Sequence, residues 1–161
     1  MKQVAFVSRD AAEHIVPDKD NNGAIISINS DNDLAKLHKA WKHKLFLVFH
    51  DLDKFYEGYT LFNEEHAKQI IAFLEEVKDV HTVVVHCDAG VSRSSAVSKF
   101  IAERYGLYFD ENYSIYNKFV FSILKWVDSG EVIPIEDKPS FTLLKEKVKV
   151  MKDKKYQIDV F

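Results

Sequence analysis

Residues 80–106 read VHTVVVHCDAGVSRSSAVSKFIAERYG. The stretch opens with Val80 to Val85, the most β-branched run in the chain, which predicts a central, buried strand. It closes with Ser94 to Tyr105, a predicted helix that turns Ala96, Val97, Phe100 and Ile101 inward and stops at Gly106. Between strand and helix sits a short polar loop, HCDAGVSRSS, residues 86–95, which holds the only cysteine of the chain. In an open α/β sheet such a turn, at the carboxyl end of a strand, is where ligands bind.

The flanking sequence predicts the same architecture. Gln3 to Val7 and Ala24 to Ile28 are short β-prone runs, separated by the turn cluster PDKDNNG at 17–23. Ser30 with Asp33 predicts the N-cap of a short helix carrying Leu34 and Leu37. Leu45 to Phe49 predicts a fully buried strand that ends in His50, Asp51, Leu52 and Asp53. A loop, KFYEGYTLF, follows. Asn63 is placed to cap the next helix, with Glu64 and Glu65 at its positive end and Ala67, Ile70, Ile71, Leu74 and Val77 on one face. Asp110 predicts the cap of a last helix from about residue 111 to Val127, stopped near Gly130. The resulting expectation is an α/β fold, a central, mostly parallel sheet with helices on both faces. Residues 1–161 read as a single domain, with 136–161, after Pro134 and Pro139, as a C-terminal extension. Its alternating lysines, KEKVKVMKDKK, predict a solvated helix or strand rather than a binding tail.

Composition excludes several classes. A net charge of -3 argues against a broad basic surface for nucleic acid. No apolar run reaches the length of a membrane span, and the short run after Met1 meets Ser8, Arg9 and Asp10 too early for a signal peptide. One cysteine cannot make an internal disulfide, which points to a reducing, cytoplasmic setting.

The loop itself carries chemistry. Successive backbone N–H groups of a tight loop, running into a helix N-terminus, form an anion cradle. Gly90 lets the backbone curl through conformations closed to other residues. Arg93 adds a planar fork of donors able to grip two oxygens of a phosphate. The same positive surroundings lower the pKa of Cys87 and favour its thiolate, a nucleophile among anion-binding groups. The plain alternative for Cys87 is a small buried hydrophobe at the end of a strand.

His86-Cys87, five further residues, then Arg93-Ser94 resembles the signature loop of the cysteine-dependent protein tyrosine phosphatase superfamily. The form HCxxGxSRS resembles its small dual-specificity branch, and the likeness extends from about the Ala24 strand to about Val127. The resemblance implies a phosphatase-like fold and a two-step reaction through a phosphocysteine on Cys87, with no cofactor and no metal. It implies that Arg93 and the backbone amides of Asp88, Ala89, Gly90, Val91, Ser92 and Arg93 hold the equatorial phosphate oxygens. Ser94 matches the family hydroxyl that hydrogen-bonds the sulfur and eases its departure. His86 matches the histidine that supports the loop and the low thiol pKa.

The family also uses an aspartate past an upstream strand as general acid. HDLD offers Asp51 and Asp53. Asp51 continues the face of Leu45, Leu47 and Phe49 and reproduces the family's alternation of apolar residues before the acid. Asp51 is therefore the first choice and Asp53 the alternative. A metal site at His50, Asp51 and Asp53 lacks any further ligand cluster, because the seven histidines are scattered. Asn117, in YNKFVF, resembles an asparagine that braces the signature loop; an ordinary helix-surface asparagine is the other reading.

Substrate choice is less legible. No motif in the first 45 residues matches the deep-pocket loop of the larger tyrosine-specific members. The expected substrate is a phosphorylated protein, with a shallow site open to phosphotyrosine and also to phosphoserine or phosphothreonine, acted on by a monomer. Asp88 and the absence of lysine in the loop disfavour phosphoinositides. RNA 5′-phosphate chemistry calls for a more basic setting. The aromatic and acidic segment around Phe55, Tyr56, Glu57 and Tyr59 is either a recognition loop or a plain flap. A sulfurtransferase loop lacks the flanking histidine and Arg-Ser, and an arsenate reductase wants more cysteines. A non-catalytic phosphate-binding scaffold would be expected to have lost Cys87 or Arg93, and both are present.

Overall fold

In a computed structural model of the chain, residues 1–17, 20 and 22–130 are described. The expected extension at 136–161, with its lysine pattern, lies outside them, as does part of the turn cluster at 17–23. Four strands form one parallel sheet: β1 Gln3–Ser8, β2 Gly23–Asn29, β3 His43–Val48 and β4 Thr82–Cys87. Their spatial order is β1-β4-β2-β3. The β-branched run thus lies in the interior of the sheet, as its composition predicts. Its register sets Ser8 beside Cys87 on one side and Ser27 beside His86 on the other.

Helices cover both faces. On one lies α1, Arg9–His14, whose Ala12 packs with Ile25, Trp41 and Val84. On the other lie α2 Glu64–Glu76, α3 Arg93–Tyr105 and α4 Lys118–Ser129. The main core forms there, where Ile26, Ile28, Val83 and Val85 of the sheet meet Ile70, Leu74, Val97, Phe100, Ile101, Ile123 and Leu124. Asn63 caps α2 as expected: its side chain accepts from the His66 N–H, and His66 Nδ1 accepts from the Asn63 N–H. Gly106 ends α3 in the left-handed region, φ 64°. Among the described residues no helix is long and apolar enough to cross a membrane.

Three expectations need correction, and one element has no counterpart among them. Ser30 and Asp33 do not start a helix. Asn29 Oδ1 accepts from the Ala35 N–H and Asp31 Oδ1 from the Asp33 N–H, which gives this segment a turn with side-chain partners. The Leu45–Phe49 strand is not fully buried: β3 lies at the sheet edge, and Phe46 is 37% exposed. The last helix begins at Lys118, not near 111. Asp110 instead accepts from the Asn112 N–H in a turn, and Asn117 is the true cap, its Oδ1 accepting from the Val120 N–H. Finally, α1 went unforeseen, because six residues are too short to show a periodicity; its signal is Ser8, whose Oγ accepts from the Ala11 N–H.

Candidate active site

The β4–α3 loop brings together most of the predicted site residues. Cys87 ends the interior strand and is buried, 2% exposed. Its Sγ lies 3.2 Å from Ser94 Oγ. Burial by itself pushes the Cys87 thiol up. Hydrogen bonding from the Ser94 hydroxyl, and from the backbone N–H groups of Ser94, Val91 and Gly90, more than offsets that and holds the thiol below its usual value. These donors are the loop amides and the first turn of α3, which leaves its N-terminal N–H groups free of any side-chain cap.

The loop's path depends on Gly90 for two reasons. Its φ is 70°, in the left-handed region. A Cβ placed there would lie 2.3 Å from Ser8 N and 2.5 Å from the Val7 carbonyl carbon, both backbone atoms. The loop therefore curls directly over the end of β1. There the Arg9 N–H donates to the Asp88 carbonyl at 3.2 Å.

The loop's outer carbonyls are tied down as well. Val91 O accepts from Ser95 Oγ and from Tyr113 OH at 2.6 Å, and Ser92 O accepts from the Asn117 N–H at 3.0 Å. With its carbonyls turned outward and bonded, the loop turns amides toward the sulfur.

Below the loop, His86 is fully buried and its Nε2 shares a 2.7 Å hydrogen bond with Ser27 Oγ. Burial holds this imidazole below its usual pKa, so it is neutral at neutral pH. It supports the loop as a buried hydrogen-bonding group rather than as a cation.

Arg93 is also buried, and its fork is well partnered. Nη1 donates to the Phe49 carbonyl at 2.7 Å and to Ser30 Oγ at 3.1 Å, while Nη2 donates to Asp88 Oδ2 at 2.7 Å. Ser30 Oγ donates to the same Asp88 oxygen at 2.5 Å. Nε has no hydrogen-bond partner among the described residues. Neither Ser30 nor the Phe49 carbonyl was foreseen as part of the site. In sequence Ser30 resembles a helix cap, and a backbone carbonyl leaves no trace there.

Of the two candidate acids, only Asp51 is bonded to the loop. Its Oδ1 accepts from Ser92 Oγ at 2.9 Å and from Asn117 Nδ2 at 2.7 Å. Asn117 Nδ2 also donates to the Leu52 carbonyl. One residue thus caps α4, holds the Ser92 carbonyl through its N–H, and holds Asp51 through its side chain. That is the bracing position rather than the plain helix-surface one. Asp53 lines the same open cleft of about 520 Å³, with Tyr56, Tyr116 and Lys118, but makes no bond to the loop among the described residues. The base of the intervening segment is closed by His50, whose N–H donates to the Thr60 carbonyl and whose Nδ1 accepts from the Thr60 N–H. Among the described residues no group of three or more His, Cys, Asp or Glu is placed to hold a metal ion.

The Ser94 contact makes a direct prediction. Ser94→Ala removes the side-chain partner of the sulfur among the described residues, so the thiol pKa is expected to rise. The rate of Cys87 alkylation by iodoacetamide, followed against pH, is expected to reach its midpoint at higher pH than in the parent chain. An unmoved midpoint would mean that the amides alone set the thiolate.

No protein-family model matches the chain. No curated protein matches it either. Among solved structures it is similar to a human tyrosine phosphatase-like serine/threonine/tyrosine-interacting protein, at 18% identity and a TM-score of 0.47, over 69% of this chain and 79% of that one. At that level the likeness carries no weight for function, which has to come from the site.

Proposed function

We propose that the chain is a phosphomonoester hydrolase of the protein tyrosine phosphatase type, small dual-specificity branch, working through a phosphocysteine. The observation that carries the proposal is the buried Cys87 thiol. It is held low in pKa by the Ser94 hydroxyl and the amides of Gly90, Val91 and Ser94, with the Arg93 guanidinium in the same loop. A sulfur anion is an unusual thing to stabilise inside a core, and a loop that does so suits attack on an electrophile that itself carries negative oxygens.

The residues divide the reaction as follows. The Cys87 thiolate attacks phosphorus, the S–P bond forms and the ester P–O bond breaks. The departing oxygen takes the proton of the Asp51 carboxyl. Water then attacks phosphorus, returns a proton to the Asp51 carboxylate, and expels the thiolate, whose charge Ser94 Oγ–H stabilises. The loop amides and Arg93 hold the equatorial oxygens throughout. His86 and Asn117 position the loop and the acid without touching substrate. None of these steps uses a cofactor.

The substrate class is a phosphorylated protein side chain. The cleft beside Asp51 is open, with Tyr56 and Tyr116 on its walls, which suits phosphotyrosine and leaves room for phosphoserine and phosphothreonine. The test is turnover of p-nitrophenyl phosphate by reduced, chelator-treated protein, followed by a panel of phosphotyrosine, phosphoserine and phosphothreonine peptides. Turnover of the aryl ester with phosphotyrosine peptides among the best substrates is expected. Oxyanion binding without turnover from mildly acidic to mildly basic pH would instead favour a phosphate-binding scaffold.

A further inference from the structure

Asp88 stands at the first position after Cys87, at the start of the loop. Its carboxylate is bound to the arginine. Arg93 Nη2 donates to Asp88 Oδ2, Ser30 Oγ donates to that same oxygen, and Arg93 Nη1 donates to Ser30 Oγ. Nη1, Ser30 Oγ, Asp88 Oδ2 and Nη2 therefore close a ring across the end of the guanidinium fork. The second Nη1 hydrogen goes to the Phe49 carbonyl. What remains is the side edge of the plane, the Nε–H and the second Nη2–H, which lie parallel and suit two oxygens of one phosphate. Nε is buried and has no other hydrogen-bond partner among the described residues.

We propose that Asp88 is the charge-selecting residue of this site: it turns the side edge of Arg93 toward one phosphate group and, by its own negative charge, weakens the hold on free phosphate and on substrates with a second phosphate beside the first. This rests on the reading of the loop as a phosphoester site. Two physical consequences follow from one carboxylate. The orientation is carried by hydrogen bonds, which a neutral isostere can largely keep. The discrimination is carried by charge, which it cannot. Burial raises the Asp88 pKa, but the hydrogen bonds from Ser30 and Arg93 and the charge of Arg93 outweigh it and hold the carboxyl below its usual value. Asp88 is thus a carboxylate at neutral pH. A site with this counter-charge releases its product readily and prefers singly phosphorylated segments.

The experiment compares the full-length parent with Asp88→Asn and Asp88→Glu. With inorganic phosphate as a competitive inhibitor of p-nitrophenyl phosphate turnover, Asp88→Asn is expected to bind phosphate about tenfold more tightly, because one nearby negative charge is gone. Asp88→Glu keeps the charge and is expected to stay near the parent. Asp88→Asn is also expected to gain several-fold on a peptide carrying two adjacent phosphoresidues relative to its singly phosphorylated form. Asp88→Ser, small and neutral, carries the same expectation should the asparagine variant fail to fold. Phosphate inhibition that is unchanged or weaker in the neutral variants, with the parent active, would overturn this inference alone. A parent with neither turnover nor phosphate binding would overturn the phosphoester reading as well.

Discussion

Cys87→Ser is expected to lower aryl phosphate turnover to background, a loss on the order of 10⁶-fold, the size seen when a covalent hydrolase loses its nucleophile. The reason is chemical rather than steric. A serine hydroxyl fits where the thiol sits, but hydrogen bonds that lower a thiol pKa leave an alcohol far from ionised. The anion cradle does not depend on the sulfur. The Gly90, Val91 and Ser94 amides, the Ser94 hydroxyl and Arg93 all remain. Binding of tungstate or phosphate by Cys87→Ser is therefore expected to persist, and to strengthen where the thiolate's own charge opposed it. The two readouts together separate a lost nucleophile from a lost fold. Turnover retained by the serine chain would remove Cys87 from the mechanism. Loss of both turnover and oxyanion binding, in a chain that melts like the parent, would mean that the loop does not form without sulfur.

The second large effect concerns Asp51. Asp51→Asn is expected to reduce kcat about 10²- to 10⁴-fold on substrates with poor leaving groups, the usual worth of a positioned general acid. The loss should be smaller with p-nitrophenyl phosphate, whose leaving group departs with less help. Asparagine keeps an oxygen where Ser92 Oγ and Asn117 Nδ2 donate, so the bracing survives the change. The pH profile carries the more specific signature. In the proposed mechanism the thiolate attacks, so the acid limb belongs to Cys87, and a basic limb belongs to the general acid. Because the thiol lies below its ordinary value, the acid limb is expected at lower pH than for an unperturbed cysteine. Asp51→Asn is expected to abolish the basic limb and spare the acid one, whereas Asp53→Asn leaves both. If Asp53→Asn removed the basic limb and Asp51→Asn did not, the acid would be Asp53, reached by movement of the segment that carries Tyr56.

The parts of the site that were legible in sequence are those whose chemistry is local. A β-branched run followed by a glycine loop and a helix announces a parallel strand and its ligand-binding turn, and Cys87, Gly90, Arg93 and Ser94 lie within eight consecutive residues of it. Asp51 was reachable because strand alternation continues through Leu47 and Phe49 to its face. What stayed hidden arises only when distant segments meet. Gly90 is required as much by the backbone of Val7 and Ser8 as by its own turn, and that contact exists only because β1 pairs with β4. Ser30 looks like a helix cap until Asn29 spends its side chain on the Ala35 N–H and leaves Ser30 to Asp88 and Arg93. Asn117 reads as a mid-helix residue if Asp110 is taken as the cap. It becomes the joint between α4, Ser92 and Asp51 once the intervening turn is recognised. In each case a short polar side chain had two competing partners, one local and one long-range, and the fold decided between them.

In the proposed mechanism Cys87 carries the phosphoryl group between the two steps. The most direct measurement is acid quenching of the parent chain during turnover of p-nitrophenyl phosphate, followed by intact mass and peptide mapping. A fraction of the chain is expected to be heavier by one phosphoryl group, located on the peptide containing Cys87 and absent from Cys87→Ser. The Ser94→Ala chain, which loses the donor that eases the sulfur's departure, is expected to hold a larger fraction. Steady turnover with no phosphate on Cys87 in either chain, or phosphate on another residue, would contradict it.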